Sequence, residues 1–128
     1  MAAEATGRPP TPRVLVVDDD ESIREVARAA LELVGGWEVR TVSRGDEAVE
    51  VAAACHPDVV LLDVMMPGMD GPSVREALRR DPRTTDVPVV FLTAKGDQRL
   101  PPSHGIMPKP FDPMLLARDL ERLLGWDR

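Results

Sequence analysis

Short runs of near-continuous Val and Leu, separated by segments with helical spacing, constrain the fold of this chain more than any other feature. The runs cover residues 14–17, 39–42 with weaker alternation, 59–62 and 87–92, and a weaker fifth covers 105–107. Apolar runs of this kind lack a polar face, so they read as strands covered on both sides, the pattern of a parallel sheet lying between helices. Between them, Ile23, Val26, Ala27, Ala30 and Val34 share one helical face that ends at Gly35 and Gly36. Ser43 is placed to cap a second helix running to Ala53, with Ala48, Val49 and Ala52 inward. A third helix opens at Asp70 to Pro72, carries Val74, Ala77 and Leu78, and stops before Pro82. The last starts at Asp112 with Pro113 in its first turn, and runs through Leu115, Leu116, Leu120, Leu123 and Leu124 to Gly125. Strand and helix alternate almost throughout. That alternation predicts an open, doubly wound α/β fold with its site beyond the carboxyl ends of the strands.

The opening residues 1–12 hold small residues and three prolines without apolar periodicity, and are expected to form a disordered tail ahead of a single domain over 13–128. With 16 basic and 22 acidic residues the formal charge is −6, which argues against a phosphate-backbone partner and for protein or small-molecule partners. Cys55 is the sole cysteine, so no internal disulfide forms; there is no secretory apolar run and no bilayer-length stretch, and a cytoplasmic setting is expected.

The polar residues carry the chemistry. Asp18 and Asp19 end the first strand, Asp63 the third, Thr93 the fourth and Lys109 the fifth, so all fall at the same edge of the sheet. Taken singly, each has an ordinary reading: a solvated helix start for the acids, a β-branched strand end for Thr93, a surface lysine for Lys109. Their joint placement points to one crevice. Asp20 and Glu21 are the residues assigned to starting the helix. Close carboxylates repel one another and suit a hard cation that keeps some of its waters, with Mg²⁺ the natural choice. Asp63, ending the central strand, is then the nucleophile toward a phosphoryl group whose oxygens Thr93 and Lys109 hold.

The segments VLVVDDDES, VVLLDVMMPGMDG, VVFLTA and MPKPF, in this order, resemble the signature blocks of the response-regulator receiver family over about residues 13–124. The resemblance implies a flavodoxin-like five-stranded parallel sheet of order 2-1-3-4-5. It implies Asp63 as phosphoacceptor, Asp19 as a direct Mg²⁺ ligand, Asp18 acting on the metal largely through water, and the Met65 carbonyl completing the set. It further implies a cis Lys109–Pro110 bond, a histidine kinase or phosphotransfer protein as donor, and a downstream protein as output, with no metabolite turned over. Neither nucleic acid nor membrane is expected as a direct partner.

Two departures stand out. Ile106 occupies the position, three before the lysine, where the family carries an aromatic switch residue. Residues 95–103 leave room for little more than one helical turn between the fourth and fifth strands, so the fourth helix of the fold is expected to be shortened or missing. Both departures support an alternative, a phosphorylation-independent binding module that keeps the acids without the switch. An aspartyl phosphatase is disfavoured because Val64 and Met65 follow Asp63 where a second acid is wanted, and a flavin site because the first loop offers aspartates to a phosphate. Cys55 is read as a small buried side chain, His56 and His104 as lone surface or loop residues, Trp37 and Trp126 as packing or partly exposed residues, and Met65, Met66 and Met69 as filling the loop after the third strand in preference to forming a sticky partner surface.

Overall fold

The computed structural model describes residues 7–94, 100 and 103–126. Five strands, β1 (Arg13–Val17), β2 (Glu38–Val42), β3 (Val59–Asp63), β4 (Val89–Thr93) and β5 (Gly105–Pro108), form one sheet in the order β2-β1-β3-β4-β5. Every neighbouring pair is parallel. This is the expected doubly wound architecture.

The period-two alternation of the strands explains why the apolar runs are continuous. Val14, Val16, Val59, Leu61, Val90 and Leu92 pack on one face, with Ala27, Leu31, Leu116 and Leu120. Leu15, Val17, Val60, Leu62, Val89 and Phe91 pack on the other, with Ala48, Ala52, Val74 and Leu78. Helix α1 (Glu21–Ala29) and the last helix, α4 (Leu116–Leu123), therefore cover one face, and α2 (Ala48–Cys55) and α3 (Gly71–Arg80) the other. A strand buried on both sides must be apolar at every position, and the chain can place polar chemistry only where the strands end.

Several details differ from the sequence reading. The α1 stripe centres on Ile23, Ala27, Ala30 and Leu31, which leaves Val26 on its exposed flank. The helix then widens into a π-helical turn, Ala30–Val34, closed by the Gly35 amide donating to the Ala30 carbonyl at 3.3 Å. Trp37 folds back beneath this end, its amide donating to the Leu31 carbonyl at 2.9 Å, and fills the inward side that Val34 was expected to take. Val34 is exposed. Ser43 does not cap α2; a 3₁₀ turn, Gly45–Glu47, leads in instead, and Arg44 before it makes no side-chain cap bond.

The packed domain reaches back beyond Arg13. Arg8 Nε lies 3.0 Å from Glu121 Oε2, and the Pro12 carbonyl accepts the Glu38 amide at 2.9 Å. Arg8 and Pro12 of the expected tail thus bond to the fold, and residues 1–6 fall outside the described residues. The connection from β4 to β5 is short in sequence. The expectation of a shortened or missing helix within it lies, apart from Leu100 and Ser103, outside the described residues.

The π-turn register is testable with neighbouring leucines: Leu31 is fully buried, whereas Leu33 is 84% exposed. Leu31→Ala is expected to cost about 2–5 kcal/mol, and Leu33→Ala under about 0.5 kcal/mol, in urea unfolding. A large effect at Leu33 would overturn the assigned register.

Candidate functional site

At the carboxyl edge of the sheet β1, β3 and β4 lie side by side, and their last residues and the loops beyond converge. Asp18 follows β1, its amide still on the ladder and donating to the Val42 carbonyl at 3.2 Å. It is fully buried; its Oδ1 accepts the Asp20 amide at 2.9 Å, and its Oδ2 lies 3.0 Å from Lys109 Nζ. Asp63, the last residue of β3, is buried as well and accepts a hydrogen bond from the same Nζ at 3.0 Å. One ammonium therefore bridges two buried carboxylates.

Lys109 is held there by its backbone. Its amide donates to the Thr93 carbonyl at 2.7 Å, which extends the β4–β5 ladder one residue past Pro108 and fixes where the lysine stem begins. The peptide bond to Pro110 is cis. Thr93 ends β4 and is buried beside this ladder. Asp19 is exposed and makes no hydrogen bond or ion pair among the described residues.

The electrostatics follow from burial. Burial pushes the Asp63 carboxyl up to about 6, the Lys109 hydrogen bond opposes this, and the neighbouring Asp18 charge adds to the rise; the Met65 amide also opposes it. Burial by itself disfavours the charged form of Lys109, yet its bonds to Asp18 and Asp63 outweigh that and raise its pKa. The ammonium is therefore locked in its charged form. Asp18, Asp19 and Asp63 each offer an oxygen, and these oxygens lie within 4.8 Å of one another. Three hard oxygen donors in that space suit a hard divalent cation.

The loops around this cluster are shaped by short polar and small residues. Asp20 caps α1, accepting the Ser22 amide at 2.9 Å, and Asp70 caps α3, accepting the Ser73 amide at 2.9 Å. Gly71 had no role in the sequence reading. A Cβ there would stand 2.8 Å from Val64 Cα and closer still to the Asp63 carbonyl, so only glycine lets the start of α3 press against the end of β3. Arg24 was missed too: its guanidinium donates to the Asp18 carbonyl at 2.9 Å. The available signal was its spacing, four residues after the capping Asp20.

Asp18, Asp19, Asp63, Thr93 and Lys109 all stand at this edge, where their strand ends were expected to bring them. Met66 and Met69 pack into the core as expected, while Met65, two residues past Asp63, is 63% exposed. Cys55 is only partly buried. His104 is an exposed loop residue as expected, and its Nδ1 accepts the Val89 amide at 3.3 Å where β4 begins. A cavity of about 260 Å³ lined by Arg13, Val39, Arg40 and Cys55 lies at the opposite, amino end of the strands and plays no part in the cluster.

The Gly71 contact predicts a steric penalty. Gly71→Ala is expected to lose about 1–3 kcal/mol in denaturant unfolding, because backbone atoms of Asp63 and Val64 must move to admit the methyl group. Wild-type stability in this variant would show that the loop yields freely.

The chain is similar to known proteins across this whole region. It is 44% identical over 85 residues to the probable transcriptional regulator ycf27 of Cyanophora paradoxa, covering 66% of this chain and 34% of that protein. It is 36% identical over 117 residues to the phosphate regulon transcriptional regulatory protein PhoB of Pseudomonas aeruginosa, covering 87% of this chain and 51% of that one. The chain thus spans from about a third to about half of these relatives. Among solved structures, the receiver domain of the sensor histidine kinase PA1611 of Pseudomonas aeruginosa, with a magnesium ion coordinated in its active site cleft, superposes with a TM-score of 0.80 at 30% identity, covering 90% of this chain and 98% of that one. The response regulator receiver domain pattern matches residues 14–121, and with the fold and the carboxyl-edge cluster in agreement, the chain belongs to the response regulator receiver domain family of signalling proteins.

Proposed function

We propose that this receiver domain accepts a phosphoryl group on Asp63, with Mg²⁺ bound beside it, from a histidine kinase or phosphotransfer protein. The observation that carries the reading is the Lys109 ammonium, 3.0 Å from both Asp18 Oδ2 and Asp63 Oδ1. It holds the Asp63 carboxylate in place and sets a positive charge where oxygens of an incoming phosphoryl group gather.

In transfer, an Asp63 carboxylate oxygen forms the new P–O bond as the P–N bond of the donor phosphohistidine breaks, and the imidazole leaves with the electron pair. Lys109 shifts its contact from the carboxylate to a phosphoryl oxygen, and the Thr93 hydroxyl donates to another. A magnesium ion, when bound, neutralises charge on the phosphoryl oxygens and the carboxylates together. Asp18, Asp19, Asp63 and the Met65 carbonyl are the protein groups proposed to hold it; the acids fit because their oxygens already lie within 4.8 Å of one another. A related receiver with magnesium in its cleft supports the choice of ion. The output is proposed to pass to a protein partner in the cytoplasm. Among the described residues, no helix is long and apolar enough to cross a membrane.

A second reading has one observation in its favour. Ile106, at the family's aromatic switch position, is 51% exposed, so no ring is available to turn inward there. A module that binds its partner regardless of phosphorylation would need no such ring. Comparing partner affinity for phosphorylated and unphosphorylated protein separates the two.

Intact-protein mass spectrometry after exposure to a small phosphodonor is expected to show one added phosphoryl group, dependent on Mg²⁺ and labile to base. Asp63→Asn is expected to abolish it. Full labelling of that variant, or of wild type in chelator, would overturn the assignment. Because the acids repel one another without metal, Asp19→Asn is expected to raise the Tm of the metal-free protein by a few degrees while removing the further rise that Mg²⁺ gives wild type. A variant that keeps the wild-type increment would remove Asp19 from the ligand set.

A further inference from the structure

We propose that Arg24 is a positioning residue for the acid cluster: it ties the end of β1 to the start of α1, and so fixes where the Asp18 and Asp19 carboxylates stand. This rests on reading Asp18, Asp19 and Asp63 as the cation site, and it assigns the site a support outside the acids, Thr93 and Lys109.

The connection from β1 to α1 is only Asp18, Asp19 and Asp20. Asp18 is the last residue on the ladder, where its amide donates to the Val42 carbonyl. β2 ends at that residue, so beyond it the sheet offers the Asp18 carbonyl no further strand partner. Arg24 supplies the missing donor, its Nη1 lying 2.9 Å from that carbonyl oxygen. The backbone amide of Arg24 meanwhile donates to the Asp20 carbonyl at 3.1 Å, closing the first turn of α1. One residue thereby grips both ends of the three-residue loop, its side chain at Asp18 and its main chain at Asp20.

The grip passes on to the carboxylates. With its carbonyl fixed, Asp18 cannot rotate about its backbone without breaking this bond and the one its Oδ1 accepts from the Asp20 amide at 2.9 Å. The Oδ2 that meets Lys109 is aimed as a result. A cation in the first turn of a helix also stands against the macrodipole, so Arg24 occupies a place that helix energetics alone disfavours. The partly buried guanidinium is there for the carbonyl it holds and the anionic loop beside it.

The sign of one effect separates positioning from charge alone. If Arg24 were only a nearby positive charge, its removal would strengthen Mg²⁺ binding, since one repulsion is gone. If it positions the acids, its removal weakens binding despite that gain. Calorimetric titration with MgCl₂ is expected to give a Kd about tenfold higher for Arg24→Met. Arg24→Lys, which keeps a charged donor on a stem of similar reach, is expected to restore most of the affinity. Arg28→Met, one turn further along α1 and bonded instead to Glu32 and Thr41, is expected to leave the Kd unchanged.

A metal-free readout keeps the inference distinct from the metal reading. Hydrogen exchange at the Asp20 amide is expected to accelerate about tenfold in Arg24→Met, while Ala27 and Ala30 in the body of the helix keep wild-type protection. Faster Asp20 exchange in a protein whose wild type fails to bind Mg²⁺ would uphold the positioning role and sink the metal reading. Unchanged exchange at Asp20, or a Kd for Arg24→Met equal to or below that of wild type, would overturn the inference.

Discussion

One ammonium group shared between two buried carboxylates sets the terms for the rest of this domain. Asp18 and Asp63 stand at the ends of adjacent strands that are covered on both faces, so their charges lie where water cannot screen them. Burial, with the like charge of Asp18 adding to it, pushes Asp63 up to about 6 even with Lys109 in contact. Lys109 meets both at once, with the backbone bond to Thr93 fixing its stem. In such an arrangement the loss of one partner costs more than the pair contributes, because a buried charge is left uncompensated. The fifth strand is short and lies at an edge of the sheet, yet it delivers the residue on which the central strands depend.

The parallel sheet accounts for why this happens at one edge only. The apolar side chains of β1, β3 and β4 pack under helices on one face or the other, and a polar group among them would have no partner. Chemistry is expelled to the strand ends. At the carboxyl ends, the loops must turn within a few residues into helix starts, which favours short acidic caps such as Asp20 and Asp70, and glycine where the helix start touches the strand, as at Gly71. The acids of the site and the acids that cap the helices are thus neighbours in sequence with different work. Asp20 spends its carboxylate on α1, whereas Asp19 keeps its own free of protein partners among the described residues.

That distinction also marks what the sequence could and could not reveal. Apolar runs identify strands because burial on both faces leaves no alternative composition, and the order of polar residues at the run ends follows from the same logic, so the placement of Asp18, Asp63, Thr93 and Lys109 at one edge is legible in the sequence. The misplacements arise where packing between elements decides. Val34 and Leu31 differ in burial because Trp37 folds back beneath a π-helical turn, an event that helical periodicity does not encode. Ser43 suits a cap by chemistry, but the backbone enters α2 through a 3₁₀ turn and passes it by. Arg24 and Gly71 act through contacts with the backbone of Asp18, Asp63 and Val64, and a residue that serves another's main chain leaves no mark in apolar periodicity, the spacing of Arg24 from the capping Asp20 being the sole trace.

The two ends of the domain resolve their charges differently, and the difference locates where a ligand can alter the fold's energy. At the amino end, the buried Glu121 of α4 meets Arg8 at 3.0 Å, and Trp37 and Trp126 form a tilted ring pair with centres 5.7 Å apart. Charge there is paired within the chain, and the apolar contact around it leaves a new ion nothing to relieve. At the carboxyl end, among the described residues, three acids face the ammonium of Lys109, so repulsion among them persists in the folded state. A group bound only by the native state stabilises it in proportion to what it relieves there. A cation or a phosphoryl group arriving at the carboxyl edge changes a balance left open, and it does so on residues that stand at the ends of β1, β3 and β5. The chain has in effect kept its unresolved electrostatics at the one edge where strands, loops and helix starts all meet.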